Sequence, residues 1–360
     1  MTNHMSDDLA NGGDVRPPTA VWQRWAGWIF GIGLLALILF YGARALLVDV
    51  KGPARLVVYA FSAQEEALTQ GIFPVFTQMW EAETGRELTI EGVFGPSGTL
   101  AGQINLGAPA DVVVFSNAQH VVWLQMSRRV QRDAQPVVVG WTPLVIVTRS
   151  GNPYGLHGYA DLAQADLRLL HADPRSSGVG EWAVLAEYGD AWLVTGDRET
   201  AVAQLQAIWG NVRLLGASAR ATLTLFELGA GDALITYEQD AWLAQERGVP
   251  LEIVIPQRTI IAEHVAVIVD DNVTYAERPV VQAFLDFLVS AEGQAILSSY
   301  YLRTAATTNL PPLSHSFTIA DLGGWPRAYT ELIEVLWQDN IEPRLNLDAA
   351  PMLLDPDERP

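Results

Sequence analysis

Four short, neutral segments carry residue types that can hold an anion. Ser62-Ala-Gln-Glu65, Gly95-Pro-Ser97-Gly98, Ser176-Ser177-Gly178-Val179-Gly180 and Ala221-Thr222 each put small or hydroxyl-bearing residues at the expected start of a helix. The first N–H groups of a helix have no intrahelical acceptor, and such a terminus carries roughly +0.5 charge. Several of them converging would hold a small, permanently charged oxyanion without any lysine. Taken singly, each is equally an ordinary N-cap. Only the set points to a ligand.

The surrounding pattern supplies elements that can aim these segments at one place. Leu56 to Ala60, Glu87 to Val93 and Asp111 to Phe115 read as strands, and Ala63 to Glu83 and Leu100 to Asn105 as helices. Further strands are expected at Thr142 to Thr148, Arg168 to Ala172, Ala233 to Thr236, Glu252 to Ile255 and His264 to Val269. Helices are expected at Gly180 to Tyr188, Glu199 to Ile208, Thr222 to Leu228, Val280 to Val289, Gly293 to Ser299 and 326 to 338. Such alternation implies an α/β fold with a largely parallel sheet. Ligands of open α/β sheets sit beyond the carboxyl ends of the strands, where all four segments fall.

With 360 residues, 49% of them hydrophobic and 18% charged, the chain can bury one large or two moderate cores. A net charge of −19 with no clustered Lys and Arg excludes a nucleic-acid binder. No cysteine is present, so disulfides, zinc–thiolate sites and a lipid-modified N-terminal cysteine are excluded. Residues 1–20 read as a disordered polar tail. Residues 21–48 contain the uncharged run Trp25 to Ala43, long enough for one transmembrane helix, with Trp22, Trp25, Trp28 and Tyr41 near its ends. Its length favours an uncleaved anchor over a signal peptide, although Ala43-Arg-Ala45 has a small-x-small pattern. Residues 346–360 form an acidic tail.

The run Gly95-Pro-Ser97-Gly98, the stretch Ala172 to Trp182 with Leu185-Ala186, the segment Gly231 to Glu238 and the stretch Phe284 to Gln294 together resemble the sulfate- and thiosulfate-binding proteins of ABC importers. Phe317-Thr-Ile and Gly323-Gly-Trp325 also match. The resemblance spans about residues 55 to 340. It implies an α/β, two-lobed type II periplasmic-binding-protein fold, here preceded by one transmembrane helix. Lobe 1 is expected from residues 55–140 with 260–345 and lobe 2 from 141–259, with crossings near Gly140 to Pro143 and Pro256 to Ile260.

The resemblance further implies a dehydrated sulfate, or a related tetrahedral oxyanion, held by backbone N–H groups, a serine hydroxyl and an indole. Carried over, Ser97 matches the first-lobe serine, Ser177 and Gly178 the second-lobe pair, Val179 the next backbone donor and Thr222 a further helix start. The family's tryptophan falls on Tyr237, and its first junction on Phe61-Ser62. A serine at that junction and a tyrosine from the second lobe are instead features of molybdate-binding proteins. Molybdate or tungstate is therefore the alternative ligand, and an anion-sensing module the alternative role. The implied partners are an ABC permease and ATPase, with the lobes extracytoplasmic on a single-pass anchor and no cofactor.

A site made only of donors suits sulfate and rejects protonated phosphate, whose O–H would lack an acceptor. Arg175, Arg220 and Arg258 flank the junctions and either grip the anion or pair with surface carboxylates. His120, His157, His171, His264 and His315 lack metal-ligand spacing. Neither Ser97 nor Ser177 lies in a Gly-x-Ser-x-Gly elbow, so a hydrolase is disfavoured and no enzyme activity is expected.

Overall fold

A computed structural model describes residues 28, 30–37 and 52–347. Residues 28 and 30–37 are helical and exposed; the rest of the expected anchor at 21–48, the tail at 1–20 and residues 348–360 lie outside the described residues. Among the described residues no single helix is long and apolar enough to cross a membrane.

From Gly52 onward the chain forms one compact unit. Among the described residues ten strands, numbered in chain order with the ranges given below, form one sheet: eight follow the path β2-β1-β3-β9-β4-β7-β5-β6, and off it β10 joins β9 and β8 joins β4. β1 (Ala54–Phe61) runs parallel to β2 (Leu88–Gly95) and to β3 (Val112–Phe115). Apart from Arg55, every β1 residue is buried, as expected of a strand with helices on both faces.

β4 (Val137–Arg149) joins the two halves. Up to Pro143 it pairs antiparallel with β9 (Arg258–Ile268), and from Leu144 with β7 (Ala233–Tyr237) and β8 (Leu251–Val254). Pro143, which has no N–H to donate, falls where the partners change. β5 (Leu169–Ala172) continues the second half in parallel with β7 and with β6 (Val212–Gly216). β4 exchanges partners between Pro143 and Leu144, and β9 begins at Arg258.

Sequence and structure differ at several elements. The helices expected from Gly180 and Thr222 begin at Gly178 and Ala219. Strand β6 and the helices Gln119–Met126 and Glu238–Glu246 had no expected counterpart. Each is short, and each is held by its neighbours rather than by its own periodicity.

Residues 315–345 were expected with lobe 1, yet they pack largely on the second half. β10 (His315–Phe317) pairs with Arg258–Ile260 at the start of β9. Trp325 lies edge-on to Trp182 at 4.7 Å between ring centroids, and Trp337 to Trp209 at 5.2 Å. A Cβ on Gly189 would come within 2.5 Å of the Phe317 ring, so this approach requires glycine. Tyr329 meets Trp123 of the first half at 5.6 Å, so the segment spans both halves.

Candidate functional site

The carboxyl ends of β1, β2, β3 and β7, together with the loops leaving β5 and β6, converge on one small pocket. Phe61, Ser62, Gly95, Pro96, Ser97, Ser116, Ser177, Gly178, Val179, Ala219 and Tyr237 line it, around about 160 Å³ of space not filled by atoms. No charged side chain lines it. Of the expected site residues, the fold brings together Phe61, Ser62, Ser97, Ser177, Gly178, Val179 and Tyr237.

Thr222 lies elsewhere. Its helix starts three residues earlier, because the Ser218 hydroxyl accepts the Ala221 N–H at 3.1 Å and acts as the N-cap. Thr222 is therefore inside the helix, with both its N–H and its hydroxyl donating to the Ser218 carbonyl at 2.9 and 2.8 Å. Ala219, the first helical residue, lines the pocket instead.

The strongest donor set belongs to the Gly178–Thr195 helix. Ser177 is its N-cap residue by conformation, but the hydroxyl makes no capping bond. The N–H groups of Gly178 and Val179 have no acceptor among the described residues, whereas those of Gly180 and Glu181 return to the Ser177 carbonyl. A Cβ on Gly178 would sit 1.8 Å from Ser116 Oγ, so only glycine lets the helix start approach this closely.

The Ser97–Asn105 helix behaves differently. Its Gly98 and Thr99 N–H groups donate to the Ser176 carbonyl at 2.9 and 3.3 Å, tying it to the opposite half. Ser97 is the residue of this helix that lines the pocket. Two further contacts tie the same halves: Trp182 Nε1 donates to the Ser116 carbonyl at 2.9 Å, and Asn117 Nδ2 to Glu181 Oε2 at 2.6 Å.

Tyr237 and Ser116 form the other wall. Neither hydroxyl completes a hydrogen bond among the described residues, although both are buried. Burial pushes the Tyr237 phenol well above its ordinary range, with the nearby Ser116 hydroxyl opposing, so Tyr237 stays a protonated donor at neutral pH. Ser116 was not singled out from the sequence. Its one sequence signal is its place directly after the Val112–Phe115 strand, at a carboxyl end like the others.

None of the flanking arginines lines the pocket. Arg175 pairs with Asp173 and Glu342 at 2.8 and 2.7 Å, and Arg220 with Glu66 at 3.2 Å. Arg258 lies in a separate cleft with Asp190 and His315.

Sequence reasoning also missed a buried chain of side chains behind Ser97. Ser97 Oγ lies 2.9 Å from His120 Nδ1, and His120 Nε2 lies 3.3 Å from Glu181 Oε1. The three residues are distant in sequence and meet only through the fold. A Ser–His–carboxylate series is also found in hydrolases. Here the His120 and Glu181 side chains are buried and neither lines the pocket.

Comparison with known proteins gives the family. Residues 56–303 match the family model for bacterial extracellular solute-binding proteins. The sulfate-binding protein of Escherichia coli is 32% identical over 71% of this chain and 83% of its own length. The sulfate-binding protein of Synechococcus elongatus is 28% identical over 81% and 87%, and the thiosulfate-binding protein of E. coli 28% over 70% and 80%. Among solved structures, the sulfate-binding protein SubI of Mycobacterium tuberculosis shares the fold with a TM-score of 0.71 and 24% identity, over 78% of this chain and 99% of that one. The chain therefore belongs to the sulfate- and thiosulfate-binding family of bacterial extracellular solute-binding proteins.

Proposed function

We propose that the chain captures sulfate or thiosulfate outside the cytoplasm and delivers it to an ABC permease and its ATPase. The observation that carries this reading is the character of the pocket. Its polar groups are hydroxyls and the unpaired N–H groups of Gly178 and Val179, with no carboxylate among the lining residues. Such a site favours an anion that never protonates near neutral pH, since it offers free donors and no carboxylate to accept a ligand O–H. The names of the relatives supply the substrate class. The ligand contacts proposed are the hydroxyls of Ser62, Ser97, Ser116, Ser177 and Tyr237 and the N–H groups of Gly178, Val179 and Ala219, against the Phe61 ring.

Calorimetric titration of the full-length chain in detergent with sulfate, thiosulfate, molybdate and phosphate tests the reading. Sulfate or thiosulfate should bind in preference to phosphate. Tight binding of phosphate ahead of the others would overturn the donor-only site. Preference for molybdate would select the alternative suggested by Tyr237 and Ser62.

The same proposal places the protein on the membrane through residues 21–48, with both lobes outside. In support, Trp28, Phe30 and Ile32 are 73%, 75% and 64% exposed on a helix within an uncharged run, and apolar residues exposed around a helix favour an apolar cover. Closure of the lobes would pivot where β4 and β9 change partners. Protease added to intact cells should release the lobes; complete protection until lysis would place them in the cytoplasm.

A further inference from the structure

Two opposite charges line the same cleft without a partner. The first is Arg258, where the chain enters β9. Its Nη1 is enclosed by protein and meets no acceptor, and no carboxylate pairs with the guanidinium among the described residues. The second is Asp190, on the helix Gly178–Thr195. No donor reaches its carboxylate among the described residues, and burial raises it above the ordinary carboxylate range while Arg258 opposes. The two charges thus act on each other electrostatically yet form no ion pair.

The cleft has a volume of about 340 Å³, within the range of small-molecule sites. A guanidinium nitrogen enclosed without an acceptor and a half-buried carboxylate without a donor each carry an unrecovered desolvation cost. One small molecule recovers both if it bears an anion and a cation. A carboxylate offers two oxygens to a guanidinium, and an ammonium offers three donors to a carboxylate. Val194 and Pro256 add apolar lining, which suits an uncharged remainder. His157 and His315, exposed in the same lining, supply ring nitrogens that donate or accept.

We propose that this cleft is a second ligand site, one that takes a free α-amino acid with an uncharged side chain, its carboxylate on Arg258 and its ammonium on Asp190. The site is separate from the oxyanion pocket. Asp190 lies on the same helix as Gly178 but about 18 Å further along it, at about 1.5 Å per residue. The two linings share no residue. An occupant would hold together the Gly178–Thr195 helix and the start of β9, where Arg258 pairs with His315 of β10.

The test is calorimetric titration of the full-length chain in detergent, with and without sulfate. The titrants are the L-amino acids with uncharged side chains and, as the two halves of such a ligand, acetate and methylammonium. At least one amino acid should bind with a Kd below about 1 mM, and each half at least about tenfold more weakly. Sulfate should leave that affinity unchanged. Arg258→Gln and Asp190→Asn should each weaken it by about ten- to hundredfold, the effect of losing one charged hydrogen-bond partner. A cooperative thermal melt shows that each variant is folded, and should one fail to fold, the other decides.

Absence of binding by every amino acid overturns the inference. Acetate binding as tightly as the amino acid also overturns it, since the cleft is then a simple anion site. So does unaltered amino-acid affinity in either folded variant. Displacement of the amino acid by sulfate would place it in the oxyanion pocket and remove the second site. Absence of sulfate binding overturns the function proposed above and leaves this test intact.

Discussion

Two kinds of helix start occur in this molecule. At Arg198–Trp209 and Ala291–Ser299, Asp197 and Ser290 accept a first-turn N–H at 3.0 and 3.1 Å, and Glu199 and Glu292 add negative charge in the first turn. The other first-turn N–H groups there lie on exposed residues, open to water, whereas Gly178 and Val179 are buried. At Gly178–Thr195 the cap residue is also a serine, yet its hydroxyl makes no cap and the next two N–H groups have no acceptor among the described residues. The same residue type thus does opposite work. A helix end that leaves its donors unpaired loses stability by itself and regains it from a ligand.

The comparison can be broken most severely at Gly178. Gly178→Ala drives a Cβ against Ser116 Oγ, so the helix start retreats or the wall shifts. Sulfate affinity should fall by about a hundredfold, the scale of an overpacked contact. Titration checks it, and unchanged affinity would show that the close approach is not needed.

Ser177→Ala against Ser290→Ala sharpens the contrast directly. The first should remove one charge-assisted hydrogen bond, about 1.5–3 kcal/mol, hence roughly ten- to hundredfold in sulfate affinity, with little change in the melting temperature of the ligand-free protein. The second should lower stability by about 1 kcal/mol and leave affinity alone. Titration and thermal melts on both variants separate the two roles; matching behaviour would erase the distinction.

A third helix start, Glu238–Glu246 after Tyr237, has no side-chain cap but carries Glu238 and Asp240 in its first turn. Burial raises the Asp240 carboxyl to about 6, with Arg220 and Arg247 opposing. Its folded-state value lies above the unfolded one, so ionisation penalises the folded state above about pH 6, and the penalty is absent below about pH 4. Asp240→Asn should therefore raise the melting temperature at pH 8 and change it little at pH 4. A loss of stability at pH 8 would show that the charge is favourable at this terminus.

The smallest effect is expected from removing residues 1–48. The unit from Gly52 is compact by itself, and every pocket residue lies at Phe61 or beyond. The shortened chain should keep its sulfate affinity within about twofold, since no pocket contact is lost. A larger change would show that the N-terminal region reaches the site.

Much of this site was legible because it follows a local rule. Ser62 directly follows β1, Ser97 and Ser177 lie two and five residues past β2 and β5, and Tyr237 ends β7, all at carboxyl ends, where sheets of this kind bind ligands. Thr222 failed for an equally local reason, since the Ser218 cap sets the start of its helix one turn earlier than the apolar pattern suggests. Ser116 followed the rule and was passed over because the helix after it is short and weakly patterned.

By itself, the amino-acid sequence determined the alternation of strands and helices, the donor-rich and charge-poor character of the junctions, and the family. These follow from neighbours along the chain. Only the tertiary structure decided which donors are still available. Gly98 and Thr99 spend their N–H groups on Ser176, while those of Gly178 and Val179 have no acceptor among the described residues. It also brought His120 and Glu181 behind Ser97 and laid the C-terminal segment against Trp182 and Trp209. The physical reason is common to all of these. A hydrogen bond or ring contact between residues far apart in sequence exists only once the fold has closed the intervening chain.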